Sequence, residues 1–200
     1  MEYVVGKPKF KTALSYVLGC SMALILLMYF SSATPWQKEL NIVLILLIII
    51  LFVVVLPCLS YVELMWKVNK DIIQYTYYET IWCKMKAYFI HVFKSHKLEY
   101  QVSINLNQID YIAVTYTKLP RQPFGGIGYD ILFELHMYDG SICSFLPLPL
   151  NGKKEFNQAV QFIQEQGIHF KDRYQILPEL LKDIPISYYL EKVDKENNHA

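Results

Sequence analysis

Two long apolar stretches occupy most of the first third of the chain. No charged residue occurs from Thr12 to Gln37, and none occurs from Leu40 to Val62. A helix needs roughly 20 apolar residues to cross the hydrocarbon core of a bilayer, and helix is the conformation that satisfies its own backbone groups there. The pattern therefore predicts two transmembrane helices, at about residues 12–33 and 40–62.

The short segment between these stretches contains Pro35 and predicts an antiparallel helical hairpin. Three lysines precede the first stretch and two follow the second, whereas the segment between them has only Lys38, next to Glu39. Lysines and arginines flanking a span are retained on the cytoplasmic side. We therefore expect a multi-pass protein of the cell (plasma) membrane with both termini in the cytoplasm.

Two patterns in this region resemble processing sites. Residues 17–20 (VLGC) resemble a lipobox, and residues 31–33 (SSA) resemble a signal-peptidase site. However, the longest apolar run follows Cys20 rather than preceding it, and the first stretch is longer than a signal core of about 7–15 residues. A transmembrane hairpin is therefore the favoured interpretation.

Beyond the apolar stretches, polar and apolar residues begin to alternate. Residues 63–74 could continue the second helix, and residues 75–93 predict two strands around 83–86. In residues 98–106 every second residue is apolar, which is typical of a strand with one buried face. Asn107 and Gln108 predict a turn, and residues 109–116 a further strand.

Two runs, 131–138 and 141–146, flank the dipeptide Asp139-Gly140. This dipeptide is favoured in the two-residue type I′ turn of a β-hairpin. The register that follows places Phe133, Leu135 and Met137 opposite Leu146, Ser144 and Ile142.

A helical pattern follows the strands. Asn151 is a good helix N-cap, apolar residues then recur at helical spacing, and Gly167 is a typical C-terminal stop. An amphipathic helix over about 153–166 would cover one face of the sheet. Residues 174–193 predict a short helix broken at Pro178 and Pro185, and residues 194–200 a frayed polar tail.

Together these elements predict an α+β membrane protein in three parts. The transmembrane hairpin covers residues 1–62, a cytoplasmic β domain with its closing helix covers 63–170, and a C-terminal extension covers 171–200. Hydrophobic residues make up 54% and charged residues 18% of the chain, against about 45–50% and 25% in soluble domains. This composition excludes a largely disordered chain.

Charge and cysteine content exclude further classes. The formal net charge of +1 gives no indication of nucleic-acid binding. The four scattered cysteines are too few for a disulfide scaffold and fit a reducing compartment.

Residues 104–112 (INLNQIDYI), the loop 124–128, the strand 131–137 and the helix 155–166 follow one another in a recognisable order. Over about residues 10–168 the chain resembles bacterial PH-like (pleckstrin-homology-like) membrane proteins, loosely the EbsA type of Gram-positive bacteria. The resemblance implies a seven-stranded, barrel-like antiparallel sheet closed by a C-terminal amphipathic helix, with no enzyme activity. The basic residue before the family's central glycine has no counterpart here unless Arg121 serves, and the loop is longer.

No motif in the sequence predicts a catalytic, cofactor-binding or metal-binding residue. The glycine-rich segment 124–128 lacks the phosphate-loop pattern, and the histidines and cysteines lack metal-ligand spacing. Asp130, Glu134 and Asp139 are accounted for by an ordinary strand and its turn. The sequence therefore predicts a protein that is not an enzyme and has no cofactor.

One segment has an unusual charge pattern. Residues 80–98 contain aromatic residues and no acidic residue, together with the lysines Lys84, Lys86, Lys94 and Lys97. Basic residues beside a bilayer are attracted to anionic lipid headgroups, although lysines also protect exposed edge strands from aggregation. Both interpretations remain open, and Lys118 and Arg121 are further candidates for lipid phosphates or for a solvated loop.

These observations predict a non-catalytic integral membrane protein whose cytoplasmic domain binds a protein partner or anionic lipid headgroups at the inner leaflet. A bacteriocin self-immunity or envelope-stress protein is one alternative, and an accessory subunit of a membrane transporter or enzyme is another. The expected partners are membrane lipid and a protein partner or a second copy of the chain. Nucleic acid and small-molecule substrates are not expected.

Overall fold

The computed structural model describes residues 2–30, 36–61, 64–78, 80–95, 99–120, 127–147, 153–180, 182 and 186–198. These residues form an α+β fold with two apolar helices and two four-stranded sheets. Two compact units are present. The sheet unit consists of Met1–Gly6, Leu64–Thr76 and Tyr100–Ala200, and the helical unit consists of Lys7–Glu63 and Tyr77–Glu99.

The helices are α1 (Phe10–Phe30), α2 (Gln37–Ile50), α3 (Leu56–Ser60), α4 (Ile81–Ile90), α5 (Lys153–Glu165), α6 (Ile176–Leu180) and α7 (Ile186–Asn198). A π-helical turn, Leu51–Val55, joins α2 to α3, and a second, His91–Ser95, follows α4. The strands are β1 (Tyr3–Val5), β2 (Trp66–Val68), β3 (Ile72–Tyr75), β4 (Val102–Asn105), β5 (Ile109–Pro120), β6 (Ile127–Met137), β7 (Ile142–Phe145) and β8 (His169–Lys171).

The two predicted apolar helices are present in the helical unit. Phe10–Phe30 has 21 residues and the continuous helix Gln37–Ser60 has 24, so both are long and apolar enough to cross a membrane. Their serine hydroxyls bond within the helix: the Ser21 hydroxyl donates to the Val17 carbonyl over 2.8 Å, and Ser60 to Leu56 over 2.7 Å. These bonds satisfy the serine hydroxyls where the surroundings are apolar and water is not available as a partner.

The first sheet is an antiparallel array in the order β1-β2-β3-β4. Its register aligns Val5, Trp66, Tyr75 and Val102 in one row across the sheet. The next row along, Val4, Lys67, Gln74 and Ser103, lies on the opposite face, because successive side chains in a strand alternate. Three of the four residues in the first row are buried, so this face forms part of the core.

Two predictions for this region are wrong. Residues 63–74 do not continue the second helix, since α3 ends at Ser60 and β2 and β3 follow. Residues 75–93 do not form two strands: β3 ends at Tyr75, and Ile81–Ile90 is a helix. Strand β1 was not predicted at all, because three residues are too few to show the alternation of apolar and polar residues that indicates a strand.

The second sheet has the order β7-β6-β5-β8, and β8 runs parallel to β5 while the other pairs are antiparallel. Strands β5 and β6 extend further than predicted, to Pro120 and from Ile127. Two residues of the glycine-rich segment 124–128, Ile127 and Gly128, therefore belong to β6, and the other three lie outside the described residues.

The predicted register of the β6–β7 hairpin is wrong by one residue. Phe133 pairs with Phe145, and Leu135 pairs with Cys143. A type I′ turn needs positive φ at both central residues, but here Gly140 (φ 84°) has it and Asp139 does not. The result is a three-residue loop, closed by a 2.9 Å bond from the Met137 amide to the Ser141 carbonyl. A one-residue shift exchanges the faces, so Phe145 enters the core.

The sheet unit has one core, to which both sheets and α5 contribute. Trp66 lies at its centre, 5.7 Å from Phe145 and 6.3 Å from Phe156 between ring centroids. The Trp66 indole N–H donates to the Pro147 carbonyl over 2.8 Å, which satisfies its buried polar group. Helix α5 packs on β1, where the Tyr3 and Phe162 rings lie 5.1 Å apart. The strands among the described residues form two separate sheets rather than a closed barrel.

The amphipathic helix predicted over 153–166 is confirmed as α5, and Gly167 follows its end. The predicted N-cap, Asn151, lies outside the described residues. The prediction of a frayed tail from residue 194 is wrong, because α7 continues to Asn198 and Asp194 is buried. Asp194 forms an ion pair with Lys118 on β5 of the second sheet, and the ammonium lies 2.5 Å from the carboxylate.

Candidate membrane-facing site

The segment with the unusual charge pattern forms α4. Thr80 caps its N-terminus: the Thr80 hydroxyl oxygen accepts from the Cys83 amide over 3.3 Å, and Thr80 itself is extended. Such a cap satisfies one of the amides that begin a helix without a partner. The π-helical turn His91–Ser95 continues the helix, so the segment runs as one element from Ile81 to Ser95.

Large apolar side chains on this element are exposed. Trp82 is 75% exposed and Phe93 is 78% exposed, and Ile81 and Val92 are exposed as well. Lys86 is also exposed. Exposed aromatic side chains together with lysines are found in helices that lie in the bilayer interface. We refer to residues 80–95 as the basic aromatic helix.

The basic aromatic helix packs within the helical unit. Tyr88 contacts a small apolar cluster formed by Ala13, Val17 and Leu56. Nearby, the Tyr61 hydroxyl donates to the Ala87 carbonyl over 3.5 Å. Through these contacts α4 belongs to the same compact unit as the two apolar helices.

Phe10, at the first residue of α1, lies at the centre of an aromatic cluster. Its ring centroid is 5.8 Å from those of Tyr61 and Tyr88 and 4.8 Å from that of His91. A second contact, 5.3 Å between Tyr61 and Tyr78, extends the cluster. Aromatic residues with a polar edge are enriched where a span meets the membrane interface.

A cavity of about 250 Å³ opens between α1, α3 and the basic aromatic helix. It is lined by Phe10, Leu14, Leu56, Tyr88, His91 and Val92. Its walls are therefore mainly apolar, with the His91 imidazole and the Tyr88 hydroxyl as polar groups. Two of these residues, His91 and Val92, belong to the π-helical turn, a distortion that is often found at functional sites.

The structure places four of the six predicted lipid-facing residues. Lys84 and Lys86 lie on α4, and the backbone of Lys94 lies in the π-helical turn. Lys97 and Arg121 lie outside the described residues. The interpretation of Lys84 and Lys86 as protecting an edge strand is wrong, because they lie on a helix.

Lys118 is placed apart from this group, on β5 in the sheet unit. It is paired with Asp194, and the hydrogen bond to that carboxylate raises the pKa of Lys118 above its ordinary value. The prediction that Lys118 lies in a loop is wrong, since β5 continues through it.

Sequence reasoning missed the cavity and the residues from three separate elements that line it. The one signal that could have indicated a helix at residue 81 is Thr80, a good N-cap residue that is followed by an alternation-free run. Over the part of the chain that the structure describes, no group of three or more His, Cys, Asp or Glu side chains is placed to hold a metal ion.

No protein-family model, curated protein or solved structure matches this chain. The functional interpretation therefore depends on the geometry of the chain itself.

Proposed function

We propose that this chain is a non-catalytic, multi-pass protein of the cell membrane that binds anionic lipid headgroups at the inner leaflet. The observation that carries the proposal is the basic aromatic helix, which exposes Trp82, Phe93 and Lys86 in the same compact unit as two membrane-length apolar helices. In this proposal the aromatic side chains enter the interface and the lysines attract anionic headgroups.

The chain path supports a hairpin whose two ends lie on one side of the membrane. The chain leaves the sheet unit after β1 and returns to it before β2, and Val5 and Trp66 at these two points are paired neighbours. An even number of crossings is the simplest path that returns the chain to its starting side. Together with the lysine distribution, this path supports the proposal that both termini lie in the cytoplasm.

The chain passes from the sheet unit to the helical unit and back a second time, again between two paired strands. The chain leaves after β3 and returns before β4, and Tyr75 pairs with Val102. In an antiparallel sheet of this order, β1 and β3 end, and β2 and β4 begin, at the same end of the sheet. All four connections to the helical unit therefore start at that end of the sheet.

The sheet unit is proposed to be a PH-like domain that binds a protein partner or a second copy of the chain. Its support is the order of elements: a four-stranded antiparallel sheet, then the strands β5, β6 and β7, then the amphipathic helix α5. The parallel strand β8 and the two unclosed sheets are departures from the barrel that the resemblance implies.

The experiment that tests membrane contact uses the full chain in vesicles containing lipids brominated at different depths. The full chain is needed because the sheet unit includes Met1–Gly6, so cutting at residue 63 would remove β1. Bromine quenches tryptophan fluorescence at short range. The contribution of Trp82 is the difference in fluorescence between wild type and Trp82→Phe. We expect quenching chiefly by bromine placed near the headgroups, and stronger quenching in anionic vesicles than in neutral ones.

Exchanging Lys84 and Lys86 for Gln should reduce the Trp82 quenching in anionic vesicles and remove its dependence on salt. Lys192→Gln, an exposed lysine on α7, is the matched control and should leave the quenching unchanged. Absence of Trp82 quenching at every depth would contradict the proposal. Equal quenching in neutral and anionic vesicles would contradict the part of it that concerns headgroup charge.

A further inference from the structure

The cavity in the helical unit has a lining suited to an apolar ligand. Its volume of about 250 Å³ lies just below the 300–1,000 Å³ typical of small-molecule sites. Phe10, Leu14, Leu56 and Val92 supply apolar wall. A ligand that buries mainly hydrocarbon there would meet few unsatisfied polar groups.

Lysines precede cavity-lining residues on two helices. Lys11 precedes Leu14 by three residues on α1, and Lys84 precedes Tyr88 by four residues on α4. Residues three or four apart lie on the same face of a helix. Each of these lysines is therefore one turn from a side chain that lines the cavity, in each case toward the start of its helix.

No negative charge offsets these lysines within their own segments. The sequence contains no Asp or Glu from residue 3 to residue 38, and none from 80 to 98. Lys7 and Lys9 add further positive charge immediately before Phe10. Positive charge at the start of a helix is disfavoured by the helix dipole. The lysines at the start of α1 therefore do not stabilise that helix through its dipole.

We infer that this cavity binds one acyl chain of an anionic glycerophospholipid, whose phosphate is held by Lys11 and Lys84. The inference deepens the proposed function, on which it rests, because it replaces general attraction to a charged surface with a single site. An anionic glycerophospholipid matches both features, since it carries hydrocarbon for the apolar wall and a phosphate for the nearby lysines. The π-helical turn at His91 and Val92 contributes to the site by bringing both residues to the cavity wall.

Native mass spectrometry of the full chain, released from detergent micelles, tests the site. The delipidated protein is titrated with phosphatidylglycerol or with phosphatidylcholine of the same acyl chains. We expect one phosphatidylglycerol to be retained per chain, with about tenfold tighter binding than phosphatidylcholine. Lys11→Gln with Lys84→Gln should weaken phosphatidylglycerol binding by about 30-fold, the effect of two lysines near an anionic lipid.

Filling the cavity provides a test that leaves the lysines intact. Leu14→Trp should weaken the binding of both lipids by about tenfold, the loss of a well-buried segment of hydrocarbon. Leu18→Trp is the matched control: Leu18 is exposed on the same helix but does not line the cavity, so binding should be unchanged. Lys38→Gln, at the start of α2, is the matched control for the charge. A circular-dichroism melt of each variant identifies any that fail to fold, and Val92→Phe is a second filling variant.

Several results would overturn the inference. They are equal retention of the two lipids, an effect of Leu18→Trp as large as that of Leu14→Trp, and displacement of the lipid by excess glycerol phosphate, which would indicate a site for free phosphate. These outcomes are separate from the proposed function. If Trp82 is quenched by brominated lipid while filling the cavity has no effect, the membrane contact stands and the single site is refuted.

Discussion

Lys118 on β5 and Asp194 on α7 form an ion pair of 2.5 Å that ties the last helix to the second sheet. The Asp194 side chain is largely buried while that of Lys118 is 44% exposed. Close by, the Tyr189 hydroxyl donates to the Tyr174 carbonyl over 2.7 Å. These contacts make α7 part of the sheet unit.

The ion pair gives the stability of the chain a defined pH dependence. Because the hydrogen bond to Asp194 raises the pKa of Lys118, the pair stabilises the fold at pH values below the ordinary lysine pKa of about 10.4. This stabilisation is lost as the pH rises through the raised pKa. The difference in urea midpoint between wild type and Asp194→Asn should therefore be constant from about pH 7 to 9 and shrink above about pH 10.5.

The control for this measurement is Glu196→Gln, which breaks an exposed pair with Lys192 at 3.9 Å. Exposed pairs of this kind contribute little, so its midpoint should match wild type throughout. An Asp194→Asn midpoint equal to wild type at pH 7 would show that the pair does not hold α7.

The core position of Phe156 predicts a large effect of truncation. Phe156 is 2% exposed and packs against Trp66 and Phe133. Phe156→Ala should lower the free energy of unfolding by about 3–5 kcal/mol, since it removes buried surface and leaves a cavity. Urea titration of the full chain in detergent, followed by the fluorescence of Trp66 in a Trp36→Phe, Trp82→Phe background, measures this change. Lys154→Ala, exposed on the same helix, should change it by less than about 0.5 kcal/mol.

Substituting two glycines with positive φ distinguishes the cost of backbone strain from the cost of a steric clash at the added Cβ. Gly6 has φ 82° and a Cβ there would lie 2.9 Å from the Leu64 carbonyl oxygen, whereas Gly140 has φ 84° and open space around it. Gly140→Ala should destabilise by about 1–2 kcal/mol, the effect of left-handed backbone alone. Gly6→Ala should destabilise more, because the Leu64 backbone must also move. The same urea titration measures both, and equal effects would show that the Leu64 contact is not restrictive.

The predicted topology is tested by cysteine accessibility in intact cells. With the four native cysteines replaced by alanine, Ser32→Cys between the apolar helices should react with a membrane-impermeant maleimide. Glu196→Cys on α7 should react only after the cells are opened. The opposite pattern would place both termini outside, and labelling of both positions in intact cells would refute the hairpin.

Local patterns in the sequence were sufficient for the apolar helices and for α5. Both depend on long periodic or continuous apolar runs, and the stop at Gly167 is a local signal as well. The turn at 107–108 was also predictable, because alternation on both sides identified the strands that it joins. Such features depend on residues that are neighbours in the chain.

The features that escaped prediction depend on residues distant in the chain. β1 is a strand because it pairs with β2 across the whole helical hairpin. The aromatic and β-branched residues of α4 favour a strand by propensity, and the contacts of Tyr88 with Ala13, Val17 and Leu56 favour the helix instead. The candidate cavity combines α1, α3 and α4, so no single segment could indicate it.

The pairing of β1 with β2 also sets an order of events during synthesis. Val5 leaves the ribosome before the apolar helices, but its partner Trp66 follows only after both of them have been made. Closing so long a loop is entropically unfavourable unless the intervening helices have already brought its ends together. We therefore expect the first sheet to be completed only after the helical hairpin has formed, and a chain whose hairpin fails to form to leave the edge of β2 without its β1 partner and open to pairing with other chains.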